Sequence, residues 1–279
     1  KQFLFIPISL LVIALIVLGH SYITRGEFVT KGVSLKGGIT LTFTPIADIS
    51  IESLQTTLAG SLPGDVNVRG LTEGGRVKFI IIEVSDVDEA MLINALRSAG
   101  ILLKQGEYST ENIGSSIGNN FFRQTQLAIL FAFLGMAIVV FITFRSVVPS
   151  LFVVLAVFCS LVETLAVISL LEVRLSTAGI AAFLMLIGYS VDTDILLTTR
   201  VLKRKEGTLF ERIRGATKTG LTMTITALAA TLVGLFFTQS DVIRQIMLII
   251  SIGLVFDTIN TWLQNASILR TYLEKKGHQ

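Results

Sequence analysis

Long apolar stretches alternate along the chain with one extended polar segment. A membrane-spanning helix needs about 20 mostly apolar residues to cross a hydrocarbon layer about 30 Å thick. Six stretches meet this requirement, at 3–24, 124–144, 151–171, 177–199, 217–238 and 245–269. The first lacks a small-residue cleavage site, so we expect a retained helix and not a signal peptide. The pattern predicts a polytopic α-helical membrane protein with six transmembrane helices.

The polar segment, residues 25–123, follows a different pattern. Short runs rich in β-branched residues alternate there with amphipathic helical stretches. We expect strands at 38–44, 65–70, 76–84 and 106–113, and helices at 48–59 and 85–99. The resulting order, β-α-β-β-α-β, is typical of the ferredoxin-like α+β fold. The expected parts are transmembrane helix 1 (1–24), an extracytoplasmic ferredoxin-like domain (25–123) inserted between helices 1 and 2, and helices 2–6 (124–279).

The positive charges indicate the orientation. Lysine and arginine are concentrated in the short loop at 200–218 and near the C-terminus at 270–276. Short cytoplasmic loops carry an excess of these residues. We therefore expect a multi-pass protein of the cytoplasmic membrane, with both termini in the cytoplasm and the domain 25–123 outside.

Composition excludes several classes of function. Hydrophobic residues make up 52% of the chain and charged residues 15%, against about 25% charged in a typical soluble domain. The net charge of +3 is too small to suggest nucleic-acid binding. One cysteine, Cys159, and two histidines, His20 and His278, cannot build a disulfide scaffold or a thiolate metal cluster, and offer little for a histidine-based active site. We expect no enzyme activity, no cofactor and no metal centre.

Four acidic residues lie inside the predicted spans. Glu163 is near the middle of the third span, Asp192 and Asp194 are towards the cytoplasmic end of the fourth, and Asp257 is near the middle of the sixth. Each costs about 2.5–3.5 kcal/mol near a helix centre. No lysine or arginine lies in the interior of any span. A carboxyl group held away from water without an opposite charge is neutral until water or a cation reaches it. These four acids are therefore candidates for a proton relay.

Helical geometry separates the neighbouring pair on the fourth span. Asp192 and Asp194 lie about 200° apart around a helix, so they cannot serve the same face. We expect Asp192 to face the bundle interior together with Gly188 and Thr199, and Asp194 to reach towards the headgroups.

The sixth span carries a polar stripe. With Asp257, its members recur at helical spacing on one face, and they are Gly253, Asn260, Thr261 and Gln264. Such a stripe cannot face lipid, so it must face other helices or a water-filled cavity.

Three motifs resemble the SecF family of the SecDF protein-export complex. The segment Gly-Val-Ser-Leu-Lys-Gly-Gly, which contains Gly32, Gly37 and Gly38, is similar to the family signature G-x-D-F-x-G-G. The fourth-span run Ile-Gly-Tyr-Ser-Val-Asp-Thr-Asp resembles I-G-Y-S-x-N-D-T, whose aspartate is implicated in proton movement. That run supplies the further signature residues Gly188, Tyr189 and Ser190. The sixth-span run around Asp257 resembles the archaeal branch of the family.

The fourth-span match is displaced by one residue. The family aspartate falls opposite Thr193, and Asp192 aligns with the corresponding aspartate of the sister subunit SecD. We expect Asp192 to carry the role, with Asp194 as the alternative.

The resemblance, which covers the whole chain, implies a function and partners. SecF and SecD each supply six spans of a twelve-span assembly of the resistance-nodulation-division (RND) superfamily. The family is thought to work beside the Sec translocon channel, to bind the translocating polypeptide outside, and to couple proton flow to motion of its external domains. Membrane lipid surrounds the spans.

Two other readings remain open. The chain could be a scaffold that holds SecD at the Sec channel, with its acids making only interhelical hydrogen bonds. It could also be an intramembrane protease, if Asp192 and Asp257 form a pair across touching helices.

Overall fold

Two compact units make up the computed structural model, which describes residues 4–45, 49–73, 76–85, 87–104, 106–203, 207–238 and 240–275. The helical unit comprises Lys1–Thr30, Leu127–Val173 and Ala178–Gln279. The sheet unit comprises Lys31–Gln126 and, from a later part of the chain, Arg174–Thr177.

The described elements follow one order along the chain. They are α1 (Phe5–Arg25), α2 (Val33–Lys36), β1 (Gly38–Phe43), α3 (Ile51–Ser61), β2 (Val66–Glu73), β3 (Arg76–Val84), α4 (Glu89–Ser98), β4 (Tyr108–Ile113), α5 (Ser115–Phe144), α6 (Val147–Leu170), α7 (Thr177–Lys203), α8 (Leu209–Phe237), α9 (Asp241–Ile259), a π-helical segment (Asn260–Asn265, the π segment) and α10 (Ala266–Lys275).

The sheet unit contains a four-stranded antiparallel sheet in the order β2-β3-β1-β4. Alternate residues of β1 are buried, because successive side chains of a strand point to opposite faces. In the register of β1 with β3, Ile39 pairs with Val84 and Leu41 with Ile82. These side chains form one hydrophobic core with leucines of α3 and α4. The predicted β-α-β-β-α-β order is confirmed.

Each of the six expected spans is matched by a helix that is long and apolar enough to cross a membrane. The candidates are Phe5–Arg25, Asn120–Phe144, Val147–Leu170, Thr177–Lys203, Leu209–Phe237 and Val242–Glu274. The last of them departs from the expected regular helix, because the π segment interrupts it between α9 and α10. One span thus contains a turn of wider backbone geometry.

Glycines allow the helices of this unit to approach closely. A Cβ atom on Gly220 of α8 would overlap the ring of Trp262 in the π segment. A Cβ atom on Gly253 of α9 would overlap the side chain of Leu186 on α7. Small residues of this kind let membrane helices pack backbone against side chain. The close packing brings α7, α9 and the π segment together around a polar interior.

Candidate functional site

The buried carboxyl groups of Asp194 and Asp257 form the centre of the polar interior. Asp194 lies on α7 and Asp257 on α9, and their residues are 0% and 1% exposed. Asp257 accepts hydrogen bonds from the Ser190 hydroxyl and from the Thr193 hydroxyl, the latter at 3.0 Å. Because Ser190 and Thr193 are on α7, these bonds join the two helices. We call this arrangement the paired-aspartate site.

The amide of Asn265 and the hydroxyl of Thr261 complete the immediate surroundings. Asn265 Nδ2 donates to Asp194 Oδ1 at 2.7 Å. Thr261 Oγ1 lies 3.5 Å from Asp257 Oδ1 and also next to the Asp194 carboxyl. The two aspartates therefore share a neighbour in the π segment. A change of charge on either one acts on the other, since Coulombic interaction is strong where water is excluded.

A second carboxyl lies on α6. Glu163 is 1% exposed, and its Oε2 accepts a hydrogen bond of 2.7 Å from Asn260 Nδ2. Asn260 Nδ2 also lies 3.2 Å from the hydroxyl oxygen of Ser160. Next to Ser160 on α6, Cys159 is buried and its sulfur accepts from Gln264 Nε2 at 3.8 Å. We call the group of Glu163, Asn260 and Ser160 the glutamate site.

The π segment allows one membrane span to contribute a hydrogen-bond donor to each of the two sites. In a regular α-helix, residues five positions apart lie about 140° from each other. In a π-helix, backbone hydrogen bonds join residues i and i+5. Residues five positions apart therefore lie on nearly the same side of the helix. Asn260 and Asn265 are five positions apart and both buried. The wider turn gives one asparagine to each site, and π turns are often found at functional sites.

Among the described residues, none of the ion pairs involves Glu163, Asp194 or Asp257. Their hydrogen-bond partners are instead hydroxyl and amide groups. An acid with neutral partners can gain or lose a proton without breaking an ion pair. Chemically, the arrangement can hold a proton or a cation.

The expectation that Asp192 faces the bundle interior with Gly188 and Thr199 is wrong. Asp192 and Gly188 are exposed, whereas Asp194 is fully buried. The reason is the helical stripe on which each residue lies. The buried face of α7 recurs every three or four residues and includes Ser190, Asp194 and Leu197. Asp192 falls between its members, so it cannot join Asp257 as a protease pair.

The other predicted residues of the fourth and sixth spans divide into buried and exposed ones. Those of the sixth-span stripe all point inwards, and Asn260, Thr261 and Gln264 are 0%, 0% and 6% exposed. Of the fourth-span signature, Ser190 is buried, whereas Tyr189 is 45% exposed.

The signature glycines of the sheet unit have a backbone role. Gly37 and Gly38 follow the short helix α2 with φ angles of +87° and +137°. A side chain at Gly38 would also overlap the carbonyl oxygen of Val84. Gly32 precedes α2, and its N–H donates to the carbonyl of Leu175 at 2.8 Å. The motif therefore shapes the entry into β1.

Thr193, Thr198, Asn265 and Ser160 belong to the polar interior, although the sequence did not single them out as site residues. The apolar positions of α7 mark a stripe that passes through 190, 194 and 198, and this signal could have identified Thr198 and Asp194. Asn265 carries no such signal, because only the π turn brings it to the side of Asp194.

Residues 95–275 match the family described as protein export membrane protein SecD/SecF, C-terminal. The chain is 36% identical to the protein-export membrane protein SecF of Pyrococcus furiosus over 99% of this chain and 92% of that protein. It is 39% identical to the SecF protein of Methanothermobacter thermautotrophicus over 98% and 92% of the two chains.

One solved structure has a similar fold over almost the whole chain. It is SecDF, a translocon-associated membrane protein from Thermus thermophilus, with a TM-score of 0.75 and 18% identity. The match covers 97% of this chain but only 38% of the longer SecDF chain. The present chain therefore corresponds to a little over a third of the length of that protein.

Proposed function

Because the chain belongs to the SecF family of protein-export membrane proteins, we propose that it assists protein export across the cytoplasmic membrane by coupling proton flow to motion of its external domain. The observation that carries this proposal is the pair of buried aspartates on two different helices, Asp194 on α7 and Asp257 on α9. Neither takes part in an ion pair within the described part of the chain.

A proton on this pair changes how α7 and α9 interact. Two neighbouring carboxylates in a dry interior repel each other strongly, so loss of a proton favours separation of the two helices. A protonmotive force of about 200 mV is worth about 4.6 kcal/mol per proton. That energy shifts a conformational equilibrium by about a thousandfold. Glu163 serves as a second relay group, held by Asn260.

We place the sheet unit outside the membrane, as a ferredoxin-like domain. Its β-α-β-β-α-β order and its antiparallel sheet support the assignment of the fold. The orientation rests on the lysine and arginine excess at 200–218 and 270–276. Both termini are then cytoplasmic.

We assign the exposed stripe of α7 to contact with SecD. Met185, Tyr189 and Asp192 recur along one side of the helix and are exposed. An acidic side chain at this depth does not face lipid, since intramembrane acids almost always face other helices or water. A second six-span protein supplies such a surface. The Sec channel and the exported polypeptide are the further partners that the family implies.

The test is export by cells or vesicles that carry the variants Asp194→Asn and Asp257→Asn. We expect export driven by the protonmotive force to be lost, while co-purification with SecD is retained. The amide that replaces each carboxyl preserves hydrogen bonding but cannot titrate. The matched control is Glu274→Gln, which removes an exposed carboxyl at the end of the same span.

A scaffold role makes the opposite prediction. If Asp194→Asn and Asp257→Asn leave export unchanged, the buried acids only make hydrogen bonds, and the coupling proposal is rejected.

A further inference from the structure

A cavity of about 270 Å³ lies at one end of the helical unit, where α5, α7 and α10 end and α6 and α8 begin. Most of its lining is apolar. Its charged lining residues, Lys203 of α7 and Arg212 of α8, are both basic, and Ser146 adds a hydroxyl group. We call it the basic cavity.

The polar groups of the basic cavity are arranged as donors. Arg212 Nη1 donates to the carbonyl oxygen of Val201 at 3.0 Å, which fixes the guanidinium at the cavity wall. Lys203 is exposed and forms no ion pair with a described residue. Ser146, the N-cap of α6, does not use its hydroxyl to cap that helix. Ammonium and guanidinium groups only donate hydrogen bonds, so this set suits an anion.

Two carboxylates near these residues in sequence are engaged elsewhere. Glu211 accepts a hydrogen bond of 2.8 Å from the N–H of Thr208. Glu274 accepts one of 2.7 Å from Arg270. Neither donor lines the basic cavity. An anion from outside the chain therefore matches the chemistry of the cavity.

A second cavity, of about 560 Å³, adjoins the first. Tyr272 of α10 lines both cavities. The other lining residues of the second cavity are apolar except for one threonine, and they are Leu4, Phe5, Ile8, Phe152, Ile268 and Thr271. We call it the apolar groove.

The apolar groove lies deeper in the helical unit than the basic cavity. On α6, Phe152 of the groove is three residues, or about 4.5 Å, further from the start of the helix than Pro149 of the basic cavity. On α10, Ile268 of the groove is about 7.5 Å further from the end of the helix than Leu273 of the basic cavity. Positive charge thus lies at the membrane boundary, with an apolar channel leading inwards from it.

We propose that the two cavities bind one anionic phospholipid, with its phosphate on Lys203, Arg212 and Ser146 and one hydrocarbon chain in the apolar groove. Basic pockets between membrane helices bind anionic headgroups, and the guanidinium fork matches the oxygens of a phosphate. A tyrosine at the junction is typical of the interface between headgroups and hydrocarbon. Free phosphate would use the basic cavity but not the groove. This inference goes beyond the proposed function, because lipid binding requires neither export nor proton flow.

The experiment uses the full chain in detergent micelles after removal of its lipid. Phosphatidylglycerol, phosphatidylcholine and inorganic phosphate are titrated separately. Native mass spectrometry counts the bound molecules, and the melting temperature is the second readout. We expect saturation at one phosphatidylglycerol per chain with a rise of the melting temperature that phosphatidylcholine and inorganic phosphate do not reproduce.

Charge variants test the headgroup contact. Lys203→Gln should weaken the binding of phosphatidylglycerol about fivefold, the effect of one basic residue near an anionic headgroup. Lys203→Arg keeps the charge and should restore it. Lys218→Gln is the matched control, because Lys218 is an exposed lysine of α8 that does not line the basic cavity.

A variant of α1 tests the hydrocarbon contact. Ile8→Trp fills part of the apolar groove and should weaken the binding of phosphatidylglycerol at least about tenfold, the effect of about two buried methylene groups. Ile13→Trp is the control, since Ile13 is 55% exposed but does not line the groove.

Equal binding of phosphatidylglycerol and phosphatidylcholine overturns the proposal, as does unchanged binding in Lys203→Gln or in Ile8→Trp. Equal stabilisation by inorganic phosphate would identify a site for a soluble anion and also overturns it. Loss of co-purification with SecD in Lys203→Gln, with lipid binding unchanged, would make the cavity a protein contact instead. The export assay is independent of these results, because a chain that binds no lipid here can still couple proton flow.

Discussion

Asn260 and Asn265 lie on one π-helical turn but donate to carboxyl groups on two different helices. Asn260 bonds Glu163 of α6, and Asn265 bonds Asp194 of α7, each at 2.7 Å. The π segment therefore joins the two carboxyl sites through its own backbone. In a regular α-helix the two asparagines would point about 140° away from each other.

Replacing Asn260 should separate the structural role of the glutamate site from its acidity. Asn260→Ala leaves Glu163 Oε2 without its donor, and we expect a loss of about 1–3 kcal/mol in the free energy of unfolding. Glu163→Gln keeps an oxygen acceptor for Asn260, so its loss should be smaller than about 1 kcal/mol. Reversible unfolding in mixed micelles measures both. A larger loss in Glu163→Gln than in Asn260→Ala would show that the carboxyl charge, and not the hydrogen bond, stabilises the site.

Gly220 should tolerate no side chain, because α8 packs there against the π segment. Gly220→Ala drives a Cβ atom into the Trp262 ring, and we expect a loss of about 1–3 kcal/mol in the free energy of unfolding through overpacking. Gly215→Ala on the same helix is the control, since its nearest neighbour is the end of the Arg200 side chain at 3.9 Å. Thermal unfolding compares the two. Similar melting temperatures for both variants would contradict the close contact.

The exposed stripe of α7 should be covered in the complex with SecD. The thiol introduced by Asp192→Cys, in a Cys159→Ala background, should react with a lipid-soluble maleimide in the isolated chain. Because a stable interface excludes the reagent, the reaction should be at least about tenfold slower in the complex. Phe131→Cys in the same background is the control, because Phe131 is an exposed residue of α5, and it should react equally in both states. Equal reactivity of Asp192→Cys in both states would place SecD elsewhere.

The signature glycine before β1 should be irreplaceable on steric grounds. Gly38→Ala combines a φ of +137° with an overlap on the Val84 carbonyl, and we expect a loss of about 1–3 kcal/mol in the free energy of unfolding. Gly60→Ala on α3, where no atom lies within 4 Å, should stabilise by about 0.5–1 kcal/mol. Hydrogen exchange of the β-sheet amides in the full chain reports both changes. Unchanged exchange in Gly38→Ala would show that the strand can move aside.

The sequence predicts the elements well because burial in lipid and in a protein core both leave periodic patterns. Six apolar stretches become six helices, and the apolar run in 76–84 becomes β3. The same periodic pattern, applied to the fourth span, also identifies which of its residues are buried. Ser190, Asp194 and Leu197 continue its buried face, whereas Asp192 does not.

The π segment could not be predicted in this way. A π turn differs from an α turn by about one residue, and that difference leaves no trace in hydrophobicity. The contact of Asn265 with Asp194 depends on it. Tertiary packing, including the fit of Trp262 against Gly220, decides the local geometry here.

The chain crosses between the two units four times, at 30/31, 126/127, 173/174 and 177/178. An inserted domain needs only two such crossings, one at its entrance and one at its exit. The second visit, Arg174–Thr177, is short and leads directly into the helix that carries Asp194. Arg174 is bound there to Asp65 at 3.0 Å, and Thr177 N–H donates to the Ser34 hydroxyl. The first residue of α7 therefore belongs to the sheet unit, and the helix that carries Asp194 begins there without an intervening loop.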